Sequence, residues 1–186
     1  MIQVEKKPSQ GTILIAHPTI RDPNFLRTVV LLCEHNEDGT YGLVLNRQTP
    51  LQVSEVVEEP SLDLPLFLGG PVQPNTLHIL HRIGLRVNGS KSVKYGTFWG
   101  GTVERIAEVI NQEPKWKQEV RFYVGYSGWG EGQLNDEIER GGWILATVSD
   151  DILFRTDPND LWRVLMKSMG GEFALLSTFP DDPNLN

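Results

Sequence analysis

The chain has 186 residues, of which 39% are hydrophobic and 22% are charged, the composition of one globular domain with a buried core. Its net charge of −7 and pI near 5.1 argue against non-specific nucleic-acid binding, which depends on Lys and Arg meeting phosphate. No apolar run is long enough for a membrane-spanning helix, and Cys33, the only cysteine, cannot form an internal disulfide. The N-terminus also lacks the apolar core of a signal peptide. We therefore expect a cytoplasmic protein without a membrane partner.

The first half of the chain predicts mainly strands. Residues 1–10 carry no strong pattern and are predicted to be a flexible lead-in to a single domain of residues 11–176. The step from Asp38 to Gly39 predicts a β-hairpin, and valines at helical spacing predict a short helix over 51–58. Apolar runs predict strands at 11–17, 28–35, 41–46, 66–68, 77–81 and 93–98.

The second half predicts helices between strands. Amphipathic spacing predicts helices over 102–112 and 157–169, the latter with Asp157 as N-cap and Pro158 at the first helical position. Hairpins and helices mix without regular βαβ alternation, which favours an α+β fold with a mixed, mostly antiparallel sheet. The remaining predictions are a helix over 131–140, strands at 120–126, 143–148, 152–154 and 173–176, and a flexible tail over 177–186.

A glycine-rich segment, 125–134 (GYSGWGEGQL), is predicted to be a loop. Glycine is favoured where the backbone needs a positive φ or a close approach, so Trp129 between Gly128 and Gly130 marks a candidate contact site. The segment only imitates known motifs. Its third glycine comes one position early for a dinucleotide fingerprint, and Trp129 replaces the closing glycine of a nucleophile elbow after Ser127. We therefore expect no bound cofactor.

Polar residues at predicted strand ends form a second candidate region. His17, Arg21 and Asp22 follow the first long strand in a segment stiffened by two prolines, and polar groups on such loops commonly build binding sites. No His, Cys or Asp cluster has the spacing of metal ligands, so no metal site is expected. The whole candidate surface comprises His17, Arg21, Asp22, Asn46, Arg47, Gly69, Gly70, Gly128, Trp129 and Gly130.

Several stretches in register resemble one protein family. They are GTILIAHPTIRDPNFLRTVVLLCEHNEDGTYGLVLNR, LFLGGPVQPNTLHILH, FYVGYSGWGEGQLNDEIERGGWILA and ILFRTDPNDLW. The chain is similar to the AlgH/YqgE family of uncharacterised bacterial proteins. The resemblance implies a single cytoplasmic α+β domain whose split sheet folds into a pseudo-barrel with flanking helices. It supplies no catalytic residue, and the regulator label of some members does not fit a chain with net charge −7 and no helix-turn-helix.

Three functions remain open. The first is a non-catalytic binding or regulatory protein that contacts another protein or a small ligand through the candidate surface. The second is a small hydrolase with His17 or His35 as general base, oriented by Asp22, which requires these groups within hydrogen-bond reach. The third, nucleic-acid binding, is disfavoured by the net charge; it would use the four basic residues of the acid-free segment 64–103, namely Arg82, Arg86, Lys91 and Lys94.

Overall fold

A computed structural model describes residues 2–94 and 96–179. Its strands are β1 (Ile2–Val4), β2 (Ile13–Ala16), β3 (Val29–Asn36), β4 (Gly39–Val44), β5 (Gln48–Gln52), β6 (Pro65–Leu68), β7 (Val72–His81), β8 (Ser90–Lys94), β9 (Thr97–Gly100), β10 (Val120–Gly130) and β11 (Trp143–Val148). Its α-helices are α1 (Val103–Gln112), α2 (Gln133–Glu139), α3 (Asp150–Arg155), α4 (Pro158–Met169) and α5 (Gly171–Leu176).

The strands of the described chain form one mixed sheet. Its main path runs β1-β11-β2-β3-β4-β10-β7-β9-β8, with β6 beside β10 and β5 beside β6. Among the described strand pairs, only β10 with β6 is parallel. The path ends at β1 and β8, so the pseudo-barrel that the resemblance implied is open. The predicted single α+β domain with a mostly antiparallel sheet is confirmed.

The long strand β10 divides this sheet into two halves. Residues 120–124 pair with β7, whereas residues 127–130 pair with β4. Gly125 lies at the division with a φ of 67°, where the register with β7 shifts between Val124 and Tyr126. A positive φ at this point bends the strand from one half of the sheet into the other, and glycine adopts it without steric cost.

The central strands are buried on both faces, which explains their continuous apolar runs. In β2, Ile13 and Leu14 belong to different hydrophobic clusters on opposite faces. Leu165 of α4 packs in the cluster of Ile13, on the face that we call the inner face of the sheet. Leu134 of α2 packs in the cluster of Leu14, on the opposite, outer face. A further cluster lies under α1 around Ile106. Helix α2 therefore covers part of the outer face.

The two amphipathic helices begin where their capping residues predict. The hydroxyl of Thr102 accepts a hydrogen bond from the backbone N–H of Arg105 at the start of α1. The carboxylate of Asp157 accepts one from the backbone N–H of Asn159, and Pro158 is the first residue of α4. No helix of the described residues combines the length and the hydropathy needed to cross a membrane.

Three short elements were predicted with the wrong type. The helix predicted over 51–58 is the end of β5 followed by one 3-10 turn, Val53–Glu55. The strands predicted at 152–154 and 173–176 lie within α3 and α5. Runs of three or four apolar residues fit the periodicity of a strand or of a helix equally well. Here the packing favours a helix, since the adjacent residues Leu153 and Phe154 are both buried.

The predicted glycine-rich loop is also wrong over residues 125–130, which belong to β10. Trp129 pairs with Thr40 of β4 and is only 4% exposed, in a hydrophobic cluster. A glycine two residues along β4 lies close to the same packing: a Cβ on Gly42 would lie 2.7 Å from a methyl of Val30 and 3.4 Å from the Trp129 ring. Glycine's low strand propensity hides such a strand from a local pattern.

The predicted chain ends have different outcomes. Within the expected flexible lead-in, residues 2–4 form β1, which pairs with β11 from Ile2 opposite Val148 to Val4 opposite Ala146. In the expected flexible tail, Ser177 is buried and donates its hydroxyl to the carbonyl of Ala174. Residues 180–186 of that tail lie outside the described residues.

Candidate functional site

The candidate site is an open groove of about 440 Å³ on the outer face of the sheet. It lies between the loop of residues 17–27, the end of β10 and helix α2. We call it the indole groove. The residues that matter for its chemistry are Arg21, Asp22, Phe25, Trp129, Gln133, Glu137, Arg140 and Trp143.

One carboxylate organises the floor of the indole groove. The Oε2 atom of Glu137 accepts the indole N–H of Trp129 at 2.9 Å and the indole N–H of Trp143 at 2.8 Å. Its Oε1 atom accepts the side-chain amide of Gln133 at 3.1 Å. Three N–H donors thus occupy a carboxylate that has no cation partner among the described residues. The hydrogen bonds fix the indoles of Trp129 in β10 and Trp143 in β11 against helix α2.

Three aromatic rings line the same groove. Phe25 stacks on Trp129 with ring centroids 5.9 Å apart and meets Trp143 edge-on at 5.4 Å. The two indoles meet edge-on at 6.0 Å. Offset-stacked and edge-to-face contacts at these separations are favourable. Phe25 therefore anchors the loop of residues 17–27 to the strands and forms an apolar wall of the groove.

The cations of the indole groove are not neutralised by the protein. Arg21 and Arg140 are both exposed and both line the groove. Neither guanidinium group forms a hydrogen bond or an ion pair with another residue in the part of the chain that the structure describes. Asp22, the remaining acid, accepts the backbone N–H of Asn24 at 2.8 Å and stabilises a turn. The groove can therefore supply two guanidinium groups beside an aromatic wall.

The structure does not assemble the predicted hydrolase pair. Nδ1 of His17 shares a hydrogen bond of 2.8 Å with the hydroxyl of Thr19, and Asp22 bonds to Asn24 instead. Nδ1 of His35 shares one of 2.7 Å with Thr40. Among the described hydrogen bonds none joins either histidine to Asp22, so the orienting contact that a general base needs is missing.

Asn46 and Arg47 support the loop rather than line the indole groove. The amide oxygen of Asn46 accepts the backbone N–H of Val29 at 2.8 Å, and its amide nitrogen donates to the carbonyl of Arg27 at 2.9 Å. The guanidinium of Arg47 donates to the carbonyls of Pro23 at 2.8 Å and Leu26 at 3.1 Å. Together they fix the end of the loop, where Arg27 has an unusual φ of 53°.

Gly69 and Gly70 lie where two chain segments cross. A Cβ on Gly69 would be 2.3 Å from the carbonyl oxygen of Gly125, and one on Gly70 would be 2.2 Å from that of Tyr126. The hydroxyl of Ser127 also donates to the carbonyl of Gly69 at 3.1 Å. These glycines permit close packing of backbone on backbone, so the structure gives them an architectural part. Of the predicted glycines, Gly128 lines the indole groove.

Sequence reasoning missed several residues of the indole groove: Phe25, Gln133, Glu137, Arg140 and Trp143. One signal was present, because Gln133 and Glu137 are four apart and therefore share one face of a helix. Which indoles this face would meet depends on the pairing of β10 and β11 with distant strands, and no local pattern contains that information.

Three of the four basic residues proposed for nucleic acid already have acidic partners. Arg82 contacts Glu119 at 3.2 Å and Asp151 at 3.0 Å. Arg86 contacts Glu113 at 2.7 Å. Lys91 pairs with Glu34 at 3.4 Å, and Nζ of Lys94 lies 3.4 Å from the hydroxyl of Thr147. Pairing of this kind lowers the positive potential that phosphate contacts need. In the described part of the chain, no three His, Cys, Asp or Glu residues lie close enough to hold a metal ion.

The fold and the groove define a class: a single α+β domain with an aromatic and cationic surface groove. The chain belongs to a known family, since the model of the AlgH-like family matches residues 13–174. It is 40% identical to a UPF0301 protein of Chlorobaculum tepidum over 95% of both chains. It is also 40% identical to one of Cytophaga hutchinsonii, over 96% of this chain and 99% of that one.

Two solved structures have the same fold. The crystal structure of protein DIP2367 from Corynebacterium diphtheriae superposes with a TM-score of 0.79, with 24% identity and 95% coverage of both chains. The solution structure of the AlgH protein from Pseudomonas aeruginosa superposes with a TM-score of 0.73, with 28% identity over 95% of this chain and 98% of that one. The first likeness concerns the fold alone.

Proposed function

We propose that the chain is a non-catalytic binding protein that takes an anionic group of its ligand or partner in the indole groove. Binding there would let it act as a regulatory component of the cytoplasm. The single cysteine agrees with that compartment, because Cys33 is buried in the core and forms no disulfide. The groove supplies an apolar wall for contact area and two cations for charge recognition.

The pair of arginines carries this proposal. Arg21 and Arg140 line one groove, and within the described residues neither has an acidic partner. The half-buried acid beside them, Glu137, already accepts three N–H donors. A guanidinium group recognises carboxylate or phosphate through paired N–H donors, which makes arginine well suited to anion binding.

Binding is favoured over catalysis because the groove has no available acid–base pair. A general base needs an acceptor within hydrogen-bond reach of the proton that it removes. The carboxylates of Glu137 and Asp22 are both committed to N–H groups of the protein. The imidazole of His17 is bonded to Thr19. What the groove has available are its guanidinium donors and its aromatic wall.

An NMR titration tests the proposal. The indole N–H signals of Trp129 and Trp143 report on the groove, whereas the indole of Trp162, which donates to the carbonyl of Ala16 in the buried core, is an internal control. Inorganic phosphate and a short polyglutamate peptide serve as separate probes for a small anion and an acidic protein segment. We expect at least one of them to shift the Trp129 and Trp143 signals saturably and to leave the Trp162 signal unchanged.

The arginines are tested by substitution. Arg21→Gln with Arg140→Gln should weaken the response about tenfold or more, since charge-assisted hydrogen bonds contribute roughly 1.5–3 kcal/mol each. Lys167→Gln removes an exposed cation from α4, away from the groove, and should change the affinity less than twofold. Equal binding by the arginine double variant, or no response of the groove indoles to either probe, would contradict the proposal.

A further inference from the structure

A second recess, beside the end of β10, is lined by acids and by no Lys or Arg among the described residues. We propose that it binds a linear polyamine, a ligand with two or more ammonium groups joined by short alkyl chains. The recess has a volume of about 490 Å³ and lies between the β3–β4 hairpin and β10. We call it the tyrosine cavity. The lining residues that carry the proposal are Glu34, Asp38, Tyr41, Tyr126 and Gly128.

Stacked aromatic rings form one wall of the tyrosine cavity. Tyr41 and Tyr126 stack with centroids 4.1 Å apart and planes 17° apart. Trp99 packs beside Tyr41 at 4.8 Å, and the hydroxyl of Tyr41 is hydrogen-bonded to the ring of His78 at 3.0 Å. Burial lowers the pKa of His78, which keeps this imidazole neutral near pH 7. The faces of electron-rich rings attract ammonium groups.

The absence of a side chain keeps this wall open. A Cβ on Gly128 would lie 3.1 Å from the ring of Tyr126, too close for the ring to keep its present position. Gly128 faces Tyr41 in the pairing of β10 with β4, so it lies beside the stacked rings. The glycine that the sequence marked as a contact residue therefore leaves space next to the tyrosines.

The charge of the tyrosine cavity is negative. Glu34 and Asp38 line it, and its described lining contains no Lys or Arg. The carboxylate of Asp38 has no hydrogen bond or ion pair with the described part of the chain. Glu34 has only weak partners, the amide of Asn36 at 3.2 Å and the ammonium of Lys91 at 3.4 Å. Both carboxylates can therefore accept hydrogen bonds from a bound ammonium group.

The chain itself shows that an alkylammonium group fits this neighbourhood. Nζ of Lys91 lies 5.7 Å from the centroid of the Trp99 ring and 3.4 Å from Oε2 of Glu34. An ammonium group thus already sits between a carboxylate and an aromatic face of the same cluster. Lys91 is 68% exposed, so an external amine can compete with it for Glu34.

An adjoining recess favours an extended ligand over a monoamine. This recess, of about 540 Å³, lies between the same hairpin and residues 130–135, and both recesses share Asn36, Gly39 and Thr40. It adds the acids Glu37 and Glu131, again without Lys or Arg in the described lining. Two acidic recesses on one hairpin tip match a ligand that carries several separated cations, because each ammonium group can find its own carboxylate.

Isothermal titration calorimetry with spermidine tests this inference. We expect saturable binding of spermidine that is much tighter than that of butylamine or Mg²⁺ at the same ionic strength. The variant Glu34→Gln combined with Asp38→Asn should weaken spermidine binding about tenfold or more. Glu58→Gln, at an exposed acid away from both recesses, should change it less than twofold.

Lys91 provides a test of opposite sign. Lys91→Ala removes the internal competitor and should strengthen spermidine binding about threefold or more, whereas Lys167→Ala makes the same change in net charge and should have a much smaller effect. Equal effects of the two lysine substitutions, equal effects of the acidic substitutions and Glu58→Gln, or binding of Mg²⁺ as tight as that of spermidine would overturn the proposal. Neither result bears on the indole groove, whose ligand is anionic.

Discussion

Trp129 donates its indole N–H to Oε2 of Glu137 at 2.9 Å. This contact joins a strand residue that is 4% exposed to the helix that covers it. The same oxygen also accepts the indole of Trp143 from β11, so one carboxylate holds two strands that are not adjacent in the sheet. Glu137 therefore connects β10 and β11 through hydrogen bonds and also forms the floor of the indole groove.

Removing the carboxylate of Glu137 should destabilise the protein. Glu137→Ala leaves two partly buried indole N–H groups without an acceptor, and we expect the free energy of unfolding to fall by about 3 kcal/mol. Urea unfolding followed by far-UV circular dichroism measures the change. Glu139→Ala, at an exposed acid of the same helix, should change the free energy by no more than about 0.5 kcal/mol. Similar losses in the two variants would show that the carboxylate bridge contributes nothing specific.

Asn46 should be intolerant of even an isosteric change. Asn46→Asp keeps the acceptor for the N–H of Val29 but places a carboxylate oxygen 2.9 Å from the carbonyl of Arg27, where an amide now donates. We expect a loss of about 2 kcal/mol in the free energy of unfolding. Asn135→Asp, at an exposed position in α2, is the matched control and should be nearly neutral. The prediction fails if both variants unfold at the same urea concentration.

Two glycines of the predicted surface should respond differently to alanine. Gly70→Ala puts a Cβ 2.2 Å from the backbone oxygen of Tyr126 at a φ of 153°, and neither segment can move cheaply. We expect a loss of more than about 3 kcal/mol or failure to fold. Gly130→Ala meets nothing within 4 Å, and its melting temperature should stay within a few degrees of the parent's. Thermal unfolding compares the two, and equal tolerance would refute the close crossing at Gly70.

His81 should make the protein sensitive to acid. It is fully buried, and burial lowers its pKa from 6.5 to about 4. Between these values the unfolded chain binds a proton that the folded chain does not, so the free energy of unfolding falls as the pH falls from about 6.5 to about 4. At about 1.4 kcal/mol per pKa unit, a lowering from 6.5 to about 4 corresponds to about 3.5 kcal/mol.

The His81→Phe variant isolates this contribution. Phenylalanine does not titrate and can still stack on Phe98, which His81 now does at 5.7 Å. Urea unfolding measured at several pH values should show a shallower loss of stability on acidification than in the parent chain. Other groups, including His78, keep part of the slope. An unchanged slope would mean that His81 gains its proton equally in both states.

The sequence predicted those parts of the fold that are set by local chemistry. Asp157 and Pro158 specify the start of α4 within one turn, and the apolar runs of β2 and β3 are buried as predicted. It could not predict that β10 continues to Gly130. Glycines disfavour strands on their own, and the pairing of residues 127–130 with β4 depends on a segment distant in the chain.

The site was predictable in part for the same reason. Loop 17–27 and Trp129 were both marked as candidates, and the structure brings Arg21, Asp22, Gly128 and Trp129 to one groove. The part of Asn46 in bracing that loop depends on hydrogen bonds to residues 17 and 19 positions away. Glu137 was missed because a carboxylate shared by two indoles exists only after distant strands have paired.

The strand β10 belongs to both halves of the sheet, and its last residues line both the indole groove and the tyrosine cavity. Neither half can detach without breaking its own ladder with β10. Separation of the edge strands β1 or β8 leaves the pairing of β10 intact. Displacement of β10 would disrupt all three described hydrophobic clusters, because its residues contribute to each of them. The amides along β10 should accordingly exchange with deuterium only when the whole molecule opens.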